Sequence, residues 1–596
     1  MEPIRAVISG LLARLRRDTP DDPGGALALE AGVPRVVADL LLARGIATAD
    51  EAARFFRPDE SQLHDPFRMR GIGDAAALLL SAARAKRRIV VFGDYDVDGV
   101  TAVAQLKAAL ARVGAPAFSF IPHRLKDGYG LRPDTVRRVI SDLSPSVIVT
   151  VDCGISAVDG VACARESGVD VVVTDHHLVG EQLPEGAIVV NPKQNGCDYP
   201  FKELSGSGIA FKLSQAIAHS AGVALSREAL LRAACLGTIA DIVPMTGENR
   251  VIAALGLTAL ARPRAPGLAA LLERCGIEPG CAPTSEEVAF RIAPRLNAAG
   301  RLDTAELALA VFEERDPAKG AEIARVLCER NAERQAVERR VFTEARERVA
   351  RRFDPDRDAL IVEGDSSWHR GVLGIAASRL AREYNRPVLL FALEGERASG
   401  SGRSIPGVSL HGILGEMRHR FLDFGGHEQA VGGTLETANF AEFCEDVRRL
   451  FAERIPRELL DRRDCADTEL PLEQISEDLM SHLERFEPHG AGNPRPVFSC
   501  VEARSAGPFR RLGEKGWRGR LRSAHGEIDA ICWSERAGIG ERTAGGPLSL
   551  HYRLSRSGWS GRTEVEIVAS WPAGVPVDSD SRLPSPVSRL PAPAAV

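Results

Sequence analysis

The chain has 596 residues, 44% of them hydrophobic and 26% charged, with a formal net charge of -5. That length is too great for one core and implies roughly three or more domains. The charge excludes a polycation, so any nucleic-acid surface is a local patch, and no apolar run reaches the length of a membrane span. The 11 cysteines are scattered without a Cys-x-x-Cys pair, which predicts reduced thiols in a cytoplasmic protein rather than a disulfide frame or a zinc ribbon.

Residues 1–70 read as a helical segment with no evident chemistry, and 1–21 lack a signal-peptide layout and predict an amphipathic helix. From residue 89 the text alternates between strand and helix. Strands are predicted at 89–92, 117–121, 147–151, 169–173 and 188–191, and helices at 101–113, 133–140 and 158–167. This rhythm predicts an α/β domain over 71–305, with a mostly parallel sheet covered by helices on both faces. The stretch 208–260 reads as helices and contains Asp241. Asp316-Pro317 is a good helix start, with Asp as cap and Pro at the first helical position. Val337, Val341, Ala345 and Val349 follow at four-residue spacing, so 306–353 is predicted as a long, half-solvated connecting helix. A second α/β unit covers 354–460, with strands at 359–362 and 388–391 and two glycine-rich segments after them. Short alternating strands predict a small β-barrel or sandwich over 461–571. The Pro-, Ser- and Ala-rich residues 572–596 are predicted to be disordered.

The chemistry concentrates at strand ends. Apolar residues 89–92 run into Gly93, then Asp94, Asp96 and Asp98 alternate before Gly99 leads into a helix. A buried parallel strand with polar residues at its carboxyl end reads this way, and open α/β sheets bind ligands at that end. Carboxylates packed so closely repel one another. A divalent cation offsets that repulsion, and hard cations prefer oxygen ligands. Asp152 ends a second strand and Asp175-His176-His177 a third, so distant positions converge on one sheet edge. A lone acidic turn would be only a helix cap, but recurrence at three strand ends argues against that. The 96–100 segment also resembles the nucleophile loop of haloacid-dehalogenase-type phosphatases, a reading that leaves Asp152 and Asp-His-His without a role.

Asp94-Tyr-Asp-Val-Asp-Gly, Val151-Asp-Cys-Gly and Asp175-His-His resemble the successive motifs of the DHH phosphoesterase superfamily. Asp127-Gly-Tyr-Gly, Pro294-Arg-Leu-Asn-Ala-Ala-Gly-Arg, Trp368-His-Arg-Gly-Val, Ser401-Gly-Arg-Ser and Pro488-His-Gly-Ala-Gly-Asn-Pro narrow the resemblance to the RecJ family of bacterial exonucleases. The resemblance implies a DHH domain, a DHHA1 domain in the second unit and an OB-fold-like third unit. It implies 5′-to-3′ hydrolysis of phosphodiesters in single-stranded DNA, in recombination and repair, by a two-metal mechanism with Mn²⁺ or Mg²⁺. By motif, Asp96, Asp98, Asp152, His176 and Asp241 hold the metals. Related enzymes often have a histidine where this chain has Phe92, so either Asp94 supplies that ligand or the first metal site is weak. His177 faces the scissile phosphate and acts with Asp152 in catalysis.

Candidates for the DNA backbone are Arg124, Arg295 and Arg301, with Ser401, Arg403 and His427 in the second unit. Arginine among glycines suits a phosphate, although each arginine alone also reads as a surface salt-bridge partner. Arg510, Arg511, Lys515, Arg518, Arg520 and Arg522 lie near Phe509, Trp517 and Trp533. That combination suits base stacking along a single strand, unless the tryptophans are core. The expected partners are single-stranded DNA, a helicase and a single-strand-binding protein, with no membrane, and the expected state is a monomer. A DHH enzyme for short oligoribonucleotides or cyclic dinucleotides, and a non-catalytic binding protein, remain alternatives at this level.

Overall fold

A computed structural model describes residues 22–572 except 124–126, 129, 181, 303–304, 461–465, 514–515, 524, 534–538, 540–546 and 559, with backbone alone at 301–302 and 572. The helix expected within 1–21 and the tail after 572 lie outside the described residues. Among those residues no helix is long and apolar enough to cross a membrane. Cys153, Cys163, Cys197, Cys235, Cys275, Cys281, Cys328, Cys444 and Cys500 are free thiols.

The first sheet comprises β1 (Ile89–Gly93), β2 (Phe118–Phe120), β3 (Val147–Val151), β4 (Asp170–Thr174) and β5 (Ile188–Val190). All are parallel, in the order β2-β1-β3-β4-β5. β1, β3 and β4 are Val- and Ile-rich because both faces are covered. Helices Ile72–Arg84, Val97–Arg112 and Gly206–Ala221 pack on one face, and Pro133–Leu143 and Val158–Glu166 on the other. The strand order reverses between β1 and β3, which makes their carboxyl ends a ligand crevice. Register aligns Gly93 with Val151 and Val151 with Thr174. The next residues, Asp94, Asp152 and Asp175, therefore leave the sheet side by side.

Two helix boundaries differ from the expectation. The helix after β1 begins at Val97, not 101, because Asp96 caps it by accepting a hydrogen bond from Gly99 N at 3.1 Å. Gly99 is thus inside the helix. The connecting segment is two helices, Glu306–Glu313 and Pro317–Arg352, because Asp316 caps the second through Ala318 N and Lys319 N. The long helix belongs to two cores. Ala324 and Leu327 pack into the first, whereas Val341, Ala345 and Val349 pack against Trp368 and Leu373 of the second.

The second unit holds β6 (Ile361–Asp365), β7 (Val388–Glu394), β8 (Arg397–Arg403), β9 (Asp423–His427) and β10 (Ala430–Glu436), in the order β6-β7-β8-β10-β9. Only β6 and β7 run parallel there. The third unit is a seven-stranded sheet. Its strand Phe498–Ser505 pairs with both Leu548–Arg556 and Gly516–Ser523, which curls the sheet toward a barrel.

The N-terminal helices Pro23–Ala31, Arg35–Leu42 and Ala49–Phe56 pack on the third unit. Leu27, Val37, Leu41 and Phe56 share a core with Leu470, Leu483, Phe486 and Phe498. Both are clamped to the first unit by Arg250, which donates to the carbonyls of Phe55, Arg485, Phe486, Glu487 and Pro488 at 2.9–3.2 Å. Buried Asn493 ties the same turn together by donating to the carbonyls of Phe486 and Pro488, and accepts from Arg44 Nε at 2.8 Å. The Pro488–Pro494 motif is therefore a structural clamp between units.

Lys212 and Glu248 form an ion pair of 2.7 Å, with side chains 0% and 1% exposed. Tyr199 Oη and His64 N also donate to Glu248, at 2.6 and 2.8 Å, and Lys212 donates to the His64 carbonyl. Removing one partner strands a buried charge at a cost of about 3–5 kcal/mol. Lys212→Met is expected to destabilise the first unit by that amount, measured as faster hydrogen exchange across Gly206–Ala221.

Burial, then the charges of Arg44, Arg495 and Arg250, lower the His489 pKa from its usual 6.5 to about 3. The ring is neutral in the fold, while the unfolded chain takes up a proton below pH 6.5. Stability from this group is complete above that pH and is lost as pH falls toward 3. Exchange protection in the 486–493 turn is expected to drop between pH 7 and pH 5, and His489→Gln to flatten that dependence.

Candidate metal centre

Asp96, Asp98 and Asp152 are each held by a local device. Asp96 uses one carboxylate oxygen as the helix cap described above. Val97 N is satisfied instead by Asn297 Oδ1, at 3.1 Å, from the helix Ala293–Leu302. Asp98, 1% exposed, accepts from Gly206 N at 2.6 Å and Ser207 N at 2.9 Å, the first amides of the Gly206–Ala221 helix. A Cβ on Gly206 would lie 2.5 Å from Asp152, and one on Gly237 2.4 Å from Asp98 Oδ1, so only glycine fits either position. Asp152 takes a left-handed backbone with φ 62, which a short polar side chain tolerates.

These devices gather three overlapping groups: Asp94, Asp96 and Asp152; Asp98, His176 and Asp241; Asp152, His176 and His177. Within each, one donor atom per residue lies within 4.8 Å of the others. His176 Nε2 is 3.2 Å from Asp152 Oδ1 and 3.5 Å from Asp241 Oδ2. Among the described residues, neither buried ring nitrogen of His176 has a hydrogen-bond partner.

The electrostatics are those of a site short of positive charge. Burial, and then the neighbouring Asp96, push the Asp98 pKa up to about 7 against the pull of its amide bonds. Asp152 and Asp241 are raised well above the usual carboxylate range by burial and then by Asp98 and Asp96. Burial lowers His176 to about 3, which keeps the ring neutral and its lone pair available. A divalent cation reverses each of these penalties, and carboxylates with one or two imidazoles are a suitable donor set for manganese or magnesium.

Asp175 and His177 form a separate couple. Asp175 Oδ1 lies 2.6 Å from His177 Nδ1 and accepts from His176 N and His177 N, while Oδ2 accepts from Ile155 N at 2.9 Å. Burial opposes ionisation of Asp175, yet the bond from His177 wins and its pKa falls. Burial likewise opposes a charge on His177, and Asp175 overcomes it, so the His177 pKa rises. Assigning the proton to Nδ1 points Nε2 away from Asp175. The ring, 25% exposed, stacks on His427 of β9 at 5.4 Å and 10°. Register places Arg403, Ala430 and His427 abreast across β8, β10 and β9. Arg403 Nη1 donates to Ser401 Oγ at 3.3 Å and to the Gly402 carbonyl at 2.7 Å. A Cβ on Gly374 would meet both of those side chains.

Several residues singled out from sequence stand elsewhere. Phe92 is buried in the core, stacked on Phe120 at 5.4 Å, whereas Asp94 joins Asp96 and Asp152. Arg295 turns a guanidinium nitrogen to the Arg291 carbonyl of the π-helical turn Val288–Ile292 before its helix. Arg124, the Arg301 side chain and Lys515 lie outside the described residues. Arg518 and Arg520 pair with Asp529 and Glu527, and Arg511 sits over Trp517 at 4.6 Å. Trp517 is partly buried against the third core, but Trp533 is 56% exposed. Sequence reading gave Asp175 and Asn297 no role, although both lie inside quoted motifs. Gly206 and Gly237 carried no signal at all.

Family models match residues 88–238 (DHH family, N-terminal domain), 357–453 (DHHA1 domain) and 466–570 (RecJ OB domain). The chain is 34% identical to the single-stranded-DNA-specific exonuclease RecJ of Bacillus subtilis, over 92% of this chain and 69% of that protein. It is similar to crystal structures of Thermus thermophilus RecJ. The Mn²⁺ complex matches with a TM-score of 0.78 at 30% identity, over 93% of this chain and 78% of that one. The Mg²⁺ complex matches with a TM-score of 0.72 at 29% identity, over 93% and 77%.

Asp152→Asn keeps the shape and the left-handed backbone but removes one charge. It is expected to abolish Mn²⁺ binding in calorimetry. In EDTA it is expected to raise the melting temperature by roughly 2–4 °C, the shift for about 1 kcal/mol of relieved repulsion in a domain of this size.

Proposed function

This chain belongs to the RecJ family and is a metal-dependent, single-stranded-DNA-specific exonuclease; from that premise we propose how its residues divide the work. The observation that carries the proposal is the convergence of Asp94, Asp96, Asp98, Asp152, His176 and Asp241 in overlapping groups beside the oriented couple Asp175–His177. Family membership sets aside the dinucleotide-hydrolase, phosphatase-loop and binding-protein alternatives.

Two divalent ions, Mn²⁺ or Mg²⁺, would be held by Asp94, Asp96 and Asp152 on one side and by Asp98, His176 and Asp241 on the other, with Asp152 shared. The chemistry they supply when bound is activation of water and stabilisation of the leaving oxygen. Asp152 and Asp98 are fixed by backbone and helix amides, so the cluster needs little rearrangement at the moment of reaction. His177, aligned by Asp175, presents Nε2 to a non-bridging oxygen of the scissile phosphate and hydrogen-bonds the charge that develops there. The stacked ring of His427 keeps that face of His177 from water.

Ser401 and Arg403 grip a neighbouring phosphate from the second unit. The cleft between the units admits one strand and excludes a duplex on steric grounds. Degradation runs from the 5′ end, the enzyme acts as a cytoplasmic monomer, and a helicase and a single-strand-binding protein supply and protect its substrate.

End-labelled single-stranded DNA with Mn²⁺ is expected to yield mononucleotides stepwise from the 5′ end, with a blunt duplex resistant and EDTA stopping the reaction. Release from the 3′ end would overturn the polarity. His177→Gln is expected to lower kcat by roughly 10²–10⁴-fold with Mn²⁺ affinity retained. Equal loss of Mn²⁺ affinity would make His177 a ligand instead.

A further inference from the structure

Ile242 has a backbone conformation its residue type resists. It follows Asp241 with φ 62 and is 74% exposed. A β-branched residue in the left-handed region is a genuine outlier, and such strain gathers at functional sites. The local cause is visible. The helix Arg227–Ala240 ends with Asp241 as C-cap, and Ile242 takes the position after it, where Ile242 N donates to the Ile239 carbonyl at 3.3 Å. Helices very often end this way, and glycine is the usual residue because it bears no strain there.

The fold therefore gives no reason for an isoleucine. The side chain buries little of its own surface, and a glycine would complete the same helix end at lower energy. What distinguishes the position is its neighbour. Asp241 is a metal-ligand candidate whose side chain is 24% exposed, against 3% for Asp152 and 8% for His176, so the cluster opens to solvent on this side. The loop that displays Ile242 is pinned beyond it. Met245 N donates to the Ala491 carbonyl at 2.6 Å, and Asn249 Nδ2 donates to the Pro244 carbonyl at 3.0 Å. Ile242 is thus a rigid, solvent-facing apolar group beside the opening.

We propose that Ile242 is a substrate-contact residue, packing against the sugar and base of the nucleotide whose phosphate lies at the metal-ligand cluster. An aliphatic surface has no hydrogen-bond pattern to read, so the contact holds any base and suits an enzyme that degrades strands of any sequence. Its rigid display means that little ordering is lost when the nucleotide arrives. The proposal rests on the assignment of Asp241 to the metal site, so the test separates the two.

The experiment compares wild type, Ile242→Val, Ile242→Gly and Asp241→Asn. Its readouts are melting temperature, Mn²⁺ affinity by calorimetry, and steady-state cleavage of single-stranded oligonucleotides with normal or base-free terminal nucleotides. Ile242→Gly is expected to melt no lower than wild type and to bind Mn²⁺ equally well, with KM raised roughly tenfold, as for loss of a few methylenes of contact. Ile242→Val is expected to stay near wild type. The difference between wild type and Ile242→Gly should shrink on the base-free substrate. Ile242→Gly cleaving both substrates as wild type does would overturn the proposal. So would Mn²⁺ affinity falling in step with activity, which would mean that the residue only aims Asp241. Asp241→Asn binding Mn²⁺ as wild type does would fault the site itself and remove the premise.

Discussion

Like charges confined at one sheet edge set the terms for the rest of this molecule. Asp94, Asp96, Asp98, Asp152 and Asp241 lie so close that burial and mutual repulsion push several of them out of the ordinary carboxylate range. A fold left to optimise stability would place apolar or neutral groups there. Instead the structure applies its strongest restraints to holding the charges in place. Helix amides fix Asp98, glycines make room beside Asp98 and Asp152, and a left-handed backbone turns Asp152 inward. The histidines divide along the same line. His176 is kept neutral by burial and can ligate, whereas Asp175 raises the His177 pKa against its burial and orients the ring.

The site also depends on parts of the chain that carry no catalytic group. The Pro317–Arg352 helix enters the cores of the first and second units, so their spacing is set by one rigid rod. That spacing brings His427 of β9 onto His177. The N-terminal helices and the third unit share a core, and Arg250 and Asn493 join that pair to the helix that begins a few residues after Asp241. The Asp241 loop is therefore gripped from the third unit through Ala491, and the opening of the site is built by residues nearly 250 positions apart in the chain.

Much of this was legible in the residues. Strands with two covered faces are Val- and Ile-rich runs, so β1, β3 and β4 announced themselves, and the acids that end them stood out. Asp316-Pro317 marked the start of the long helix because capping chemistry is local. Other features were not legible because they depend on contacts between distant segments. Nothing around Leu27 or Val37 shows that they pack on the third unit, and nothing around Gly206 or Gly237 shows that a Cβ there would strike Asp152 or Asp98. The basic residues near Trp517 suggested a DNA track, but in the fold Arg518 and Arg520 meet acids on the neighbouring strand.

What the sequence determined by itself was the parallel α/β class, the identity of the metal-ligand candidates and the family, because periodicity and motif chemistry act over a few residues at a time. Tertiary structure alone decided which candidates lie together, which carboxylate orients His177, and how the second and third units close on the first. Those outcomes depend on register, burial and charge at distances of a few ångströms between segments that the chain keeps far apart.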